Sequence, residues 1–82
     1  MSALEAKVVT LLSRSAMISE ELVRPDAELA ALGMGSLEQI ECVMALEDEL
    51  QIELPVADLR NLRTVQDVID AVREAQQAAA SG

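Results

Sequence analysis

The stretch Gly33-Met-Gly-Ser-Leu-Glu-Gln-Ile-Glu41 sets one hydroxyl, that of Ser36, between a glycine-broken loop and the acidic start of a helix. From residue types alone a serine there has two readings. It can cap the helix, a role worth about 1 kcal/mol, and Ser36 with Gln39 has the spacing of a capping box. It can also be a nucleophile, because Gly-x-Ser resembles the opening of a nucleophile elbow. The second glycine of that motif is missing, however, and Glu38 stands in its place.

The rest of the composition weighs against chemistry performed by the chain itself. There is no histidine, so neither a Ser-His-Asp nor a Cys-His system can be assembled within it. The single cysteine, Cys42, cannot build a zinc site unaided, and it has no partner for an intrachain disulfide, which fits a reducing compartment. The expectation is a protein that is not an enzyme, with no catalytic residue and no metal. Without Trp, Tyr or Phe no ring is available to stack on a base, and fifteen acids against six bases give a net charge of −9 that repels phosphate backbones. Nucleic acid is thereby excluded as a partner. A small acidic body offers itself to basic surfaces on other proteins.

The elements that must hold Ser36 follow from periodicity. The 82 residues make one domain, 51% apolar, with an expected stability of roughly 4–12 kcal/mol. Ser2 and Glu5 have capping-box spacing, so a first helix is predicted from Ala3 to about Ala16, with Leu4, Val8, Leu11, Leu12 and Ser15 recurring on one face. Residues 17–35 lose that period. They read as a long connection with a turn at Pro25-Asp26, a short helical turn within 26–32, and Ile18, Leu22, Leu29 and Leu32 pinning it to the core. A second helix runs from Ser36 to about Leu50 and is broken by Ile52-Glu-Leu-Pro55. Residues 56–62 allow only a short helix or turn. Thr64 and Asp67 mark a third cap, followed by a helix buried along Val65, Val68, Ile69 and Val72. Residues 1–78 form the bundle and 79–82 a flexible tail. The fold class is all-α: three main helices plus one short helix, with a long loop between the first and second. No stretch approaches a membrane span and no leader pattern is visible, so the expected location is cytoplasmic, and the expected state a monomer.

The second helix has two apolar faces. At about 100° per residue, Cys42, Val43, Leu46 and Leu50 fall together as the side to bury. Leu37, Ile40 and Met44 form another stripe nearly opposite, flanked by Glu41, Glu47 and Asp48. An apolar stripe rimmed by carboxylates has the make-up of a docking surface, held by apolar contact and steered by charge.

The run LGMGSLEQIECVMALEDELQIELP, followed by TVQDVID, resembles the acyl carrier protein family over nearly the whole chain. The resemblance implies that Ser36 is esterified by a 4'-phosphopantetheine arm donated from coenzyme A. The thiol of that arm would then carry acyl groups as thioesters between the enzymes of a fatty-acid or polyketide-type pathway. It further implies that Leu37, Glu38, Ile40, Glu41, Met44, Glu47 and Asp48 dock partner enzymes, and that Val43, Leu46, Leu50, Leu54 and Ile69 line an interior able to shelter the acyl chain. The implied partners are a phosphopantetheinyl transferase, an acyl-loading enzyme and ketosynthase-type enzymes, all met through basic surfaces. One position departs from the pattern, because Gly35 stands where the family usually has an aspartate before the serine. A specialised carrier with its own transferase, an ordinary carrier with compensating acids, and a chain that has lost modification all fit that change; the first is favoured. The contrasting reading from residues alone is an acidic adaptor that binds basic partners non-covalently through the second helix.

Overall fold

The computed structural model describes residues 2–54 and 62–81. Helix α1 spans Ala3–Ala16, α2 spans Ser36–Leu50 and α3 spans Val65–Ser81. The first two agree with the spans predicted from sequence. The short helix expected over 56–62 falls on positions outside the described residues, apart from Leu62, which is buried.

Local chemistry fixes each boundary. At the start of α1 the Glu5 N–H donates to Ser2 Oγ (3.2 Å), and the Ser2 hydroxyl donates in return to the Glu5 carboxylate (3.4 Å). The far end closes on Met17, whose backbone is left-handed (φ 58°), with Met17 N–H on Arg14 O and Ile18 N–H on Ser13 O. A non-glycine residue there costs about 1 kcal/mol. Helix α2 stops the same way, at left-handed Gln51 (φ 55°), so it ends four residues before Pro55 rather than because of it. The reciprocal cap expected for α3 is present: Asp67 N–H donates to Thr64 Oγ1 (3.2 Å), while Asp67 Oδ2 accepts from the N–H groups of Arg63 and Thr64 (both 3.0 Å). Helix α3 continues to Ser81, past the point where the sequence reading ended it, in keeping with the high helix propensity of its terminal alanines.

Helix α1 packs against both α2 and α3. The core between them holds Val8, Val9 and Leu12 of α1, Cys42, Val43 and Leu46 of α2, and Val65, Val68, Ile69 and Val72 of α3. The connection from α1 to α2 contains two 3-10 turns, Glu20–Leu22 and Ala30–Leu32. Leu29 is buried as expected and Ile18 and Leu32 are half-buried, but Leu22 points outward; Val23 and Met34 fill the core instead. An antiparallel bridge joins Glu28 to Thr64. Around it Leu29 N–H donates to Arg63 O (2.8 Å), Val65 N–H to Ala27 O (3.0 Å) and Gln66 N–H to Pro25 O (2.9 Å). The loop that delivers Ser36 is thus fastened to the start of α3.

Candidate functional site

Ser36 is not the cap of α2. The Gly35 carbonyl accepts the first helical hydrogen bond, from Gln39 N–H (3.0 Å), which makes Gly35 the cap and Ser36 the first helical residue. The capping box expected from Ser36 and Gln39 is therefore absent, and the Gln39 amide instead donates to the Met34 carbonyl (3.2 Å). Among the described residues no side chain caps this end of the helix. Its leading N–H groups, and the positive end of the helix dipole, are left facing outward beside the serine.

The other serines show how unusual that is. Ser2 and Ser19 accept backbone N–H groups at element starts, the buried Ser13 donates to Thr10 O, and Ser15 is hydrogen-bonded to the Cys42 thiol. Among the serines with described side chains, Ser36 is the one exposed hydroxyl without a hydrogen-bond partner. Cys42 is no rival nucleophile. Burial pushes its thiol pKa up, an effect only opposed by Ser15, so it stays protonated at neutral pH.

The two faces of α2 separate as the periodicity indicated. Cys42, Val43 and Leu46 are buried and Leu50 is half-buried, whereas Leu37 is 65%, Ile40 46% and Met44 62% exposed. Glu41 and Asp48 are exposed on this helix. Glu47 has a different task, because its carboxylate accepts from Leu54 N–H (2.9 Å) and ties the last turn of α2 to the segment after it.

The interior holds a void of about 10 Å³, at the lower limit for a single water molecule. Leu12, Leu29, Met34, Gln39, Cys42, Val43, Leu62 and Val68 line it. Of the five residues expected to line an acyl cavity, Val43 lines this void, Leu46, Leu54 and Ile69 are buried in the core, and Leu50 is half-buried at its edge. Met34, which periodicity does not single out, is buried to 1%; its signal in the sequence is an apolar side chain set between two glycines.

Among the described residues no group of acids and cysteine could hold a metal ion, and no helix is long and apolar enough to cross a membrane. An exposed, unpartnered hydroxyl at an uncapped helix N-terminus is suited to bearing a phosphodiester, whose negative charge the N–H groups favour. The family model described as "phosphopantetheine attachment site" matches residues 6–72. An acyl carrier protein of Syntrophobacter fumaroxidans is 34% identical over 70 residues, covering 84% of this chain and 86% of the relative. The chain belongs to the acyl carrier protein family. A crystal structure of an acyl carrier protein from Thermotoga maritima, 28% identical, superposes with a TM-score of 0.79 over 90% of this carrier and 87% of that chain. The all-α fold and 4'-phosphopantetheine as the prosthetic group go with membership.

Proposed function

We propose that Ser36 bears the phosphopantetheine arm and that the protein shuttles acyl thioesters between enzymes of a fatty-acid or polyketide-type pathway in the cytoplasm. The observation that carries this reading is the free Ser36 hydroxyl at the bare N-terminus of α2, inside the family match. The arm supplies the thiol that is acylated. The chain's own residues expose the serine, offer N–H groups to the phosphate and present a surface to partners. Activating the hydroxyl is left to the transferase, which is consistent with a chain lacking histidine.

In this reading Leu37, Ile40 and Met44 are the apolar contacts, and Glu38, Glu41 and Asp48 steer basic partners such as the transferase, an acyl-loading enzyme and a ketosynthase. Helix α2 carries five acids and no base, three of them at Glu47, Asp48 and Glu49 beside the negative end of its dipole. Acids there cost a few tenths of a kcal/mol each. Glu47 is engaged by Leu54 N–H; for Asp48 and Glu49 helix stability gives no account, and recognition does. Cargo shelter requires the core to part around Met34 and Val43, since the void is too small for an acyl chain as it stands.

Intact mass after incubation with coenzyme A and a broad-specificity transferase tests the covalent role. The expected result is a gain of one phosphopantetheine, abolished in Ser36→Ala. A wild-type protein that never gains mass, with partner binding indifferent to Ser36→Ala, points instead to the acidic adaptor.

A further inference from the structure

Of the residues around the interior void, one is held differently from the rest. Five of them stand on the three helices and are fixed by the helical hydrogen bonds. Leu29 and Leu62 lie at the joint where Leu29 N–H donates to Arg63 O (2.8 Å). Met34 belongs to neither group. It sits between Gly33 and Gly35, outside the helices and the bridge, with its N–H on Leu29 O (3.1 Å) and its carbonyl accepting from the Gln39 side chain (3.2 Å). Gly33 is left-handed (φ 85°), and no atom lies within 4 Å of where its Cβ would be, so its backbone has both the freedom and the space to turn.

The side chain itself is suited to leaving. Methionine is unbranched, and its soft thioether fills irregular gaps without the fixed rotamer of a β-branched neighbour such as Val43 or Val68. At 1% exposure it occupies the core two residues before Ser36, so the segment that carries it also roots the arm. A close-packed interior with a void of about 10 Å³ admits a guest only if a resident moves. That cargo enters the core is part of the proposed function; which resident yields to it is a separate matter.

We infer that Met34 and the acyl tail are alternative occupants of one place in the core, which makes Met34 the residue that selects cargo by length. The inference rests on Ser36 bearing the arm. An acetyl group is smaller than the methionine side chain and cannot refill its space, so Met34 stays in. An octanoyl tail buries more apolar surface than Met34 gives up, so it enters while Met34 swings out about its two glycines.

The full chain, loaded by a broad-specificity transferase from acetyl- or octanoyl-coenzyme A, tests this with the arm's thiol blocked as a thioester in both forms. Hydrogen peroxide converts an accessible thioether to the sulfoxide with release of water, and peptide masses read each methionine separately. Met17, 90% exposed, should oxidise at the same rate in both forms and serves as the reference. Met34 should oxidise at least about tenfold faster in the octanoyl form, while the Tm of that form is no lower than that of the acetyl form, which separates expulsion of one side chain from general loosening. In Met34→Ala the place is already vacant, so octanoylation should raise Tm by about 4–8 °C more than it does in wild type. If Met34 stays equally protected in both forms, or a folded Met34→Ala gains no more than wild type, the inference is wrong and the carrier reading stands; if Met34→Ala does not fold, the oxidation ratio alone decides. If wild type gains no mass from either donor, the carrier reading fails first and takes the inference with it.

Discussion

Helices α2 and α3 are of similar length and share one core, but they treat their polar groups and outer faces in opposite ways. Helix α3 closes its N-terminus with the Thr64–Asp67 reciprocal cap, and its outer face holds Arg73 between Glu5 and Asp70. Helix α2 begins on a bare glycine, and its outer face carries Leu37, Ile40 and Met44 in the open. Stability alone would favour the α3 arrangement throughout. The helix bearing the serine leaves unsatisfied what its neighbour satisfies, and those loose ends coincide with the proposed attachment point and docking face.

The largest effect that can test this contrast comes from one residue type on the two helices. Ile69→Ala on α3, at 1% exposure, should cost about 2–5 kcal/mol in denaturant unfolding. Ile40→Ala on α2, at 46% exposure, should stay within about 0.5 kcal/mol while weakening partner capture. A large loss from Ile40 would mean that the outer stripe is core after all.

A smaller effect lies in the acid limb. The backbone N–H groups of Thr64 and then Arg63 hold the Asp67 carboxyl below its usual pKa. A group depressed in the folded state contributes stability above its unfolded pKa, about 3.9, and loses it as pH falls through the lower folded value. The contribution is modest because the carboxylate is near solvent, which screens it. Between pH 5 and about 2, thermal melts of wild type should therefore lose more than those of Asp67→Asn; parallel curves would show that the cap is only geometric.

The smallest effect concerns the bare end. Gly35→Asn fits the extended backbone and supplies the missing acceptor, so it should raise stability by a few tenths of a kcal/mol. A loss would mean that a side chain at this position disturbs the start of the helix.

Where the sequence was read correctly, a local signal fixed the answer. Ser2 with Glu5 and Thr64 with Asp67 sit at a spacing that works only at a helix start, and the two stripes of α2 differ enough in angle to be told apart. The family motif was legible for the same reason, being contiguous around Ser36. The cap of α2 was not, because Gly-Ser permits a start at either residue and the choice rests on a backbone hydrogen bond from Gln39 to Gly35. The irregular connection has no period, so Leu22 could not be ranked below Val23 and Met34. The void is lined from α1, the connection, α2, Leu62 and α3 together, a grouping that no single stretch encodes.

The bonds from residues 25–29 to residues 63–66 have a consequence for how the serine is held. Residues late in the chain moor the segment that leads into Ser36, so local opening at that segment and unravelling of the first turn of α3 become one event in hydrogen exchange. A chain cut before Thr64 would keep every atom of the serine motif and lose the anchorage that aims it.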